Sequence, residues 1–174
     1  MNQNQSAKTE ICNYFVQAII KRIKKDNACL AAFRRADNPS TEHQSWEYLA
    51  SFNIDLSKSY IRLPYATIAA AIAKSEPQNN GTVGIGRAIA KCYIDGNQSD
   101  QAKAKLRRLL ACDSLEEACR ILRPLFCLIN AKTTVAINFI GLLRELLNFH
   151  RDNQSVKSRW AQDFYGCSIE EDEK

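Results

Sequence analysis

The sequence is short of nearly everything that catalytic chemistry draws on. Its two histidines, His43 and His150, stand far apart in the chain. No Cys-x-x-Cys pair occurs, and the spacing of Cys112, Cys119 and Cys127 is wrong for zinc. The one glycine-rich stretch, "GTVGIG", lacks a preceding strand, the GxGxxG order and the Lys-Ser/Thr of a phosphate loop. Nothing sets a nucleophile beside a base. These absences argue against an enzyme, a metal site and a bound cofactor. No uncharged apolar run approaches the ~18 residues of a membrane span. The opening "MNQNQSAKTE" is polar and has no apolar core of a signal peptide. The expected location is therefore the cytoplasm. There the seven cysteines, an odd number, act as small buried hydrophobes in a reducing compartment. The sequons at Asn80 and Asn153 carry no meaning in that setting.

What is present is a chain of 174 residues, 45% hydrophobic and 25% charged, a globular balance with enough length for one domain or two small lobes. The formal net charge is +5, so placement matters more than the total. Residues 1–36 hold seven Lys/Arg against Glu10 and Asp26, which leaves +5. Residues 167–174 hold Glu170, Glu171, Asp172 and Glu173 against Lys174, which leaves −3, so the body without this acidic tail is +8.

Apolar residues recur at helical spacing almost throughout, and the expected fold is all-α, two small helical-bundle lobes covering residues 1–96 and 97–174. Ile11, Phe15, Ala18, Ile19 and Ile23 mark the stripe of a first helix from about Thr9 to Lys25, with "KRIKK" at its negative pole. "ACLAAFRRA" follows an Asp-Asn break. Ser40 is expected to cap a helix carrying Trp46 and Leu49, and Pro64 to sit in the first turn of "PYATIAAAIAKS". "EPQNNGTVG" is the clear irregular loop. Ser114 and Glu117 form a capping box ahead of a helix that Pro124 should kink. "TTVAINFIGLLRELLNFH" is the most apolar helix and is expected at the centre of the second lobe. Val156, Trp160 and Phe164 place one stripe of the last helix in the core.

The basic residues divide by whether an acid lies within helical reach. Arg120 has Glu116 four residues earlier and Glu117 three earlier, and Arg35 has Asp37 close by. Lys103, Lys105, Arg107 and Arg108 have no acid at i±4 within "KAKLRRLL". They surround the exposed side of a helix whose leucines seek burial. Like charges so placed repel by a few tenths of a kcal/mol per pair. Such a surface suits a phosphate backbone better than base reading, but an ordinary basic face fits as well.

The segments "AFRRADNPS" and "WEYLA", then "GIGRAIA", then "KLRRLLACDSLEEACRILRPLFCLI" and finally "RWAQDFYG" stand in one order. In that order they resemble the small subunit (CasB type) of the type I-E CRISPR Cascade complex, from about Cys29 to Gly166. The resemblance implies an all-helical, two-lobed, non-catalytic protein. Two copies would lie in an RNA-guided complex and help to hold the guide–target hybrid and the displaced DNA strand by backbone contacts. Its partners would be guide RNA, single-stranded and hybrid target DNA, other Cascade subunits and a second copy of itself, with no membrane. The family's basic surface maps onto Arg34, Arg35, Arg87, Lys105, Arg107, Arg108 and Arg123, to which the charge pattern adds Lys103. Two other readings stand beside it: a free-standing helical DNA-binding regulator, and a helical adaptor whose basic face meets an acidic protein. The helix-turn-helix that the first would need has too long a turn, from Cys92 to Ser99.

Overall fold

A computed structural model describes residues 2–166, with side chains from Ser6 onward; the acidic tail and Cys167 lie outside the described residues. Among these are nine α-helices, two 3-10 helices and no strand. The nearest approach to a sheet is an isolated parallel bridge between Val83 and Ile137. The chain forms two compact units. One comprises the residues up to Asn80 with Phe139–Leu147, the other Gly81–Asn138 with the residues from Asn148 onward.

The first unit holds α1 (Asn2–Ile23), α2 (Asn27–Arg35), a 3-10 helix (Pro39–Ser45), α3 (Trp46–Ala50), α4 (Ser59–Ser75) and most of α8 (Phe139–Phe149). Asp26 caps α2 by accepting the Cys29 amide at 2.9 Å. Helix α4 is buried from Pro64 to Ala73 without a break. Its alanines leave room for neighbours on every side, so it serves as the unit's axis. Phe15 of α1 meets Tyr65 of α4 edge-on at 4.8 Å. Helix α4 closes on Glu76, a non-glycine residue at φ 45°, whose amide returns to the Ile72 carbonyl at 2.8 Å.

Four expectations change in this unit. The buried stripe of α1 runs through Cys12, Phe15, Val16, Ile19, Ile20 and Ile23, while Ile11 stays 55% exposed. The stripe is rotated because Cys12 and Val16 pack as hydrophobes and Ile11 lies beyond their edge. Pro64 sits inside α4 rather than in its first turn, since the helix already begins at Ser59. The cap after "DN" is Asn38, which accepts the Ser40 amide at 3.0 Å and opens a 3-10 helix with Pro39 in its first turn. Trp46 then starts the short α3 with no side-chain cap. Asp37 pairs with Lys74, not with Arg35.

The second unit holds α5 (Ile85–Ala90), a 3-10 helix (Gly96–Gln98), α6 (Asp100–Leu110), α7 (Leu115–Lys132) and α9 (Asn153–Tyr165). Helix α5 packs chiefly on α9. Gly86 makes that approach possible, since a Cβ there would lie 2.2 Å from the Trp160 carbonyl oxygen. Trp160, Val156 and Phe164 are buried as expected. Helix α7 continues through Pro124 to Lys132. Ser114 accepts the Glu117 amide at 3.1 Å, and Glu117 returns to the Asp113 amide at 3.2 Å, one residue earlier than a standard capping box.

The expected division at residue 96 differs from these units. "GIGRAIA" belongs with α9 because its glycines and alanines fit that helix's backbone. Residues 133–138 are not helical. They carry Ile137 into its bridge with Val83, and the helix begins only at Phe139. Phe139–Leu147, expected in the second lobe, belongs to the first unit, where the Asn80 side chain accepts the Ile140 amide at 3.1 Å and Arg144 reaches Thr9 at 3.4 Å.

Candidate nucleic-acid interface

Helix α6 is fixed by its leucines and its cap. Ser99 accepts the Ala102 amide at 3.4 Å, and Ala102, Leu106 and Leu109 are buried against α5, α7 and α9. That seating turns Lys105, Arg107 and Arg108 to solvent, with Lys103 half-buried beside them. Among the described residues none of the four side chains forms an ion pair or hydrogen bond. The neighbouring acid Asp113 is engaged by Lys157 at 3.8 Å. Arg107 and Arg108 fall in the last turn of α6, where the helix dipole favours cations and offsets part of their mutual repulsion.

The other expected cations have structural attachments. Arg34 donates through Nε to the Ala73 carbonyl at 3.0 Å and pairs with Glu76, so it satisfies an orphan carbonyl at the end of α4. Arg35 is exposed and reaches Gln44 at 3.2 Å. Arg87, 41% exposed, has its Nε 4.0 Å from Asp163 Oδ1. Arg123 is only 8% exposed. It lies on the inner side of α7, whose buried residues include Leu122, Leu125 and Phe126, and so stands apart from the exposed cations of α6. Arg120 is exposed and pairs with Glu117 at 3.3 Å. The structure therefore brings together Lys103, Lys105, Arg107 and Arg108 on one helix and does not join Arg123 to them.

Sequence reasoning passed over two features. Lys21 and Lys25, read only as complements to a helix dipole, are exposed and unpaired among the described residues. Asp163 caps α5 from α9 by accepting the Arg87 amide at 2.9 Å. Its one legible signal was the absence of any capping side chain at Gly84. Among the described residues no group of three or more His, Cys, Asp or Glu could hold a metal ion. No helix there is long and apolar enough to cross a membrane.

The model of the CRISPR-associated protein Cse2 family matches residues 29–165. The chain belongs to that family. It is 29% identical over 150 residues to the CRISPR-associated protein Cse2 of Thermus thermophilus, with 84% of each chain covered. A crystal structure of a Cse2-family CRISPR-associated protein from Thermus thermophilus superposes with TM-score 0.74 at 22% identity, covering 90% of this chain and 98% of that one. A chain from a CRISPR RNA-guided surveillance complex superposes with TM-score 0.69 at 21% identity, covering 91% and 93%. The all-helical architecture is that of Cse2. The matched span, residues 29–165, coincides with the stretch from about Cys29 to Gly166 that resembles the CasB type, which bears out that resemblance.

Proposed function

We propose that this Cse2-family chain is a non-catalytic subunit of an RNA-guided CRISPR surveillance complex and steadies the guide–target hybrid and the displaced DNA strand through their phosphates. The observation that carries the reading is α6. Four adjacent cations hold no partner among the described residues, on a helix whose opposite face is locked into the core. Phosphates would relieve their repulsion, and the way they surround the exposed side suits a backbone rather than a base edge. Arg87, and in the first unit Arg35 and the exposed part of Arg34, are further candidates. The solved chain from a CRISPR RNA-guided surveillance complex supports placement beside other subunits; a second copy of the chain is part of the same proposal. The regulator reading is weakened by α5, six residues long and separated from α6 by residues 91–99.

The test is reconstitution with the neighbouring subunits and a guide RNA. The Arg107→Ala/Arg108→Ala variant should assemble but protect the displaced strand less from a single-strand probe. Full protection by the variant would refute the reading. Retained binding to an acidic protein, with indifference to nucleic acid, would favour the adaptor.

A further inference from the structure

Trp46 opens α3 and stays 37% exposed, although tryptophan is highly buried on average. It is also held still. The Arg62 guanidinium of α4 lies over one side of the ring, 5.2 Å from its centroid. Glu42, in the preceding 3-10 helix and only 6% exposed, accepts from Arg62 Nε at 2.8 Å and stands 3.5 Å from the indole Nε1. Arg62 donates a further bond to the Leu56 carbonyl. Apolar packing of the same volume would stabilise the unit about as well as this partly buried ion pair. What the ion pair secures is a ring in one orientation, with a cation on one side and solvent on the rest. Arg35 lies close by, donating to the Gln44 side chain at 3.2 Å, two residues before Trp46. Gln44 is neutral, and Asp37, the acid nearest to Arg35 in sequence, is taken by Lys74. The exposed acid Glu47 adjoins Trp46 but is engaged by the Tyr48 hydroxyl.

We propose that Trp46 is a stacking platform for an unpaired nucleobase, with Arg35 holding the neighbouring phosphate. The inference rests on the reading of this chain as a nucleic-acid-binding subunit and adds to it the class of strand, one whose bases are free of a complement. A base inside a duplex has both faces covered by its neighbours and cannot lie on the indole; a single strand offers open faces. Stacking accepts any base, because every base has a π face, so the ring adds affinity without reading sequence. Arg62 behind the ring extends the stack to guanidinium, indole and base. The ring is already fixed, so little side-chain freedom is lost on binding.

The experiment uses the full chain and two fluorescein-labelled strands of equal length, an oligothymidylate and an abasic strand with the same phosphates. Oligothymidylate should quench tryptophan fluorescence and the abasic strand should not. Trp160, the other tryptophan, is only 2% exposed, so the quenching should disappear in Trp46→Phe. Trp46→Leu keeps an apolar side chain and should weaken oligothymidylate binding about fivefold or more, the lower end of what one stacked base contributes. It should leave abasic binding unchanged, whereas Arg35→Ala should weaken both strands alike. The ratio of the two affinities should hold steady as salt rises, because stacking releases no counterions. Tyr14→Ala, the loss of a 70% exposed ring on α1, should alter neither affinity. Equal affinity for the two strands without quenching overturns the proposal. Equal weakening of both strands by Trp46→Leu gives the ring a structural role only and also overturns it. If Arg107→Ala/Arg108→Ala weakens both strands but no quenching occurs, the phosphate reading of α6 stands and this proposal fails. If that variant changes nothing while the thymidylate-dependent quenching persists, the reading of α6 fails and the platform stands.

Discussion

Asp163 reaches from α9 to the start of α5, where Oδ2 accepts the Arg87 amide at 2.9 Å and Oδ1 lies 4.0 Å from Nε of the same residue. One carboxylate thus caps a helix and faces the side chain that leaves it. Asp163→Ala should lower stability by about 1 kcal/mol, the usual worth of a cap. Asp163→Asn should recover most of that, because its amide oxygen can accept the same bond. Urea denaturation of the three proteins checks the order; equal loss in both variants would show that charge, not capping, is what matters.

Gly86 lies against the same helix. A Cβ there meets the Trp160 carbonyl oxygen and the Phe164 amide nitrogen, both backbone atoms that cannot turn aside. Gly86→Ala should cost about 1–3 kcal/mol by overpacking, even though it adds one methyl to a helix. An unchanged melting temperature would show that α5 and α9 separate without penalty.

Trp160 is 2% exposed and stacks on Phe149 at 5.8 Å with 24° between the planes. Trp160→Ala should lower stability by about 3–5 kcal/mol. At a temperature where the variant remains folded, its salt dependence of nucleic-acid binding should match that of the parent. Normal stability with lost binding would make the ring a base-stacking platform instead.

For nucleic acid, log affinity should fall with log salt at about −0.7 per contacted phosphate on a single strand. Arg107→Ala/Arg108→Ala should make that slope shallower for all sequences alike. The melting temperature should change little, because loss of the dipole interaction and relief of repulsion oppose one another. Arg34→Ala should show a lower melting temperature, since it removes the Ala73 and Glu76 contacts. Arg120→Ala should weaken binding less than Arg107→Ala/Arg108→Ala, because Glu117 already offsets its charge. The reverse ranking would move the site to α7.

Burial pushes the thiols of Cys12 and Cys29 up to about 11, against an ordinary value of 9.0. Their contribution to stability is fully present below the ordinary value. It is lost as pH rises from there towards about 11, because the unfolded thiols ionise first. Stability followed by denaturant titration should therefore decline above about pH 9. Under native alkylation near neutral pH, Cys127, which is exposed, should react before Cys12 and Cys29. Equal rates at all three would show that α1 and α2 open readily.

Most helices were legible because they depend on residues within one or two turns, whereas the caps were read only in part: Asn38 takes the place expected of Ser40, and Asp163 caps α5 from another helix. Ser114 and the stripe of Val156, Trp160 and Phe164 carry a local signal of the legible kind. Helix α6 was legible for the same reason: its leucines announce which side is buried, and the lack of acids at i±4 announces which cations stay unpaired. Arg123 shows where this stops. Its spacing from Arg120 gave no warning that one faces solvent and the other the core, because a one-residue rotation of α7 decides it. Ile11 and Cys12 differ in the same way on α1.

The sequence by itself determined an all-helical chain of the Cse2 family with a cationic helix and an acidic tail, since composition, periodicity and segment order are properties of the chain alone. Tertiary structure decided which helices share a core. Phe139–Leu147 reads as a buried helix anywhere, yet it completes the first unit, and "GIGRAIA" joins the second because Gly86 admits the backbone of α9. Hydrophobic burial is non-directional, so an apolar stripe states that a face will be covered and leaves the choice of cover to shape, to close backbone approach and to the few hydrogen bonds, such as Asn80 to Ile140 and Asp163 to Arg87, that only one arrangement can form.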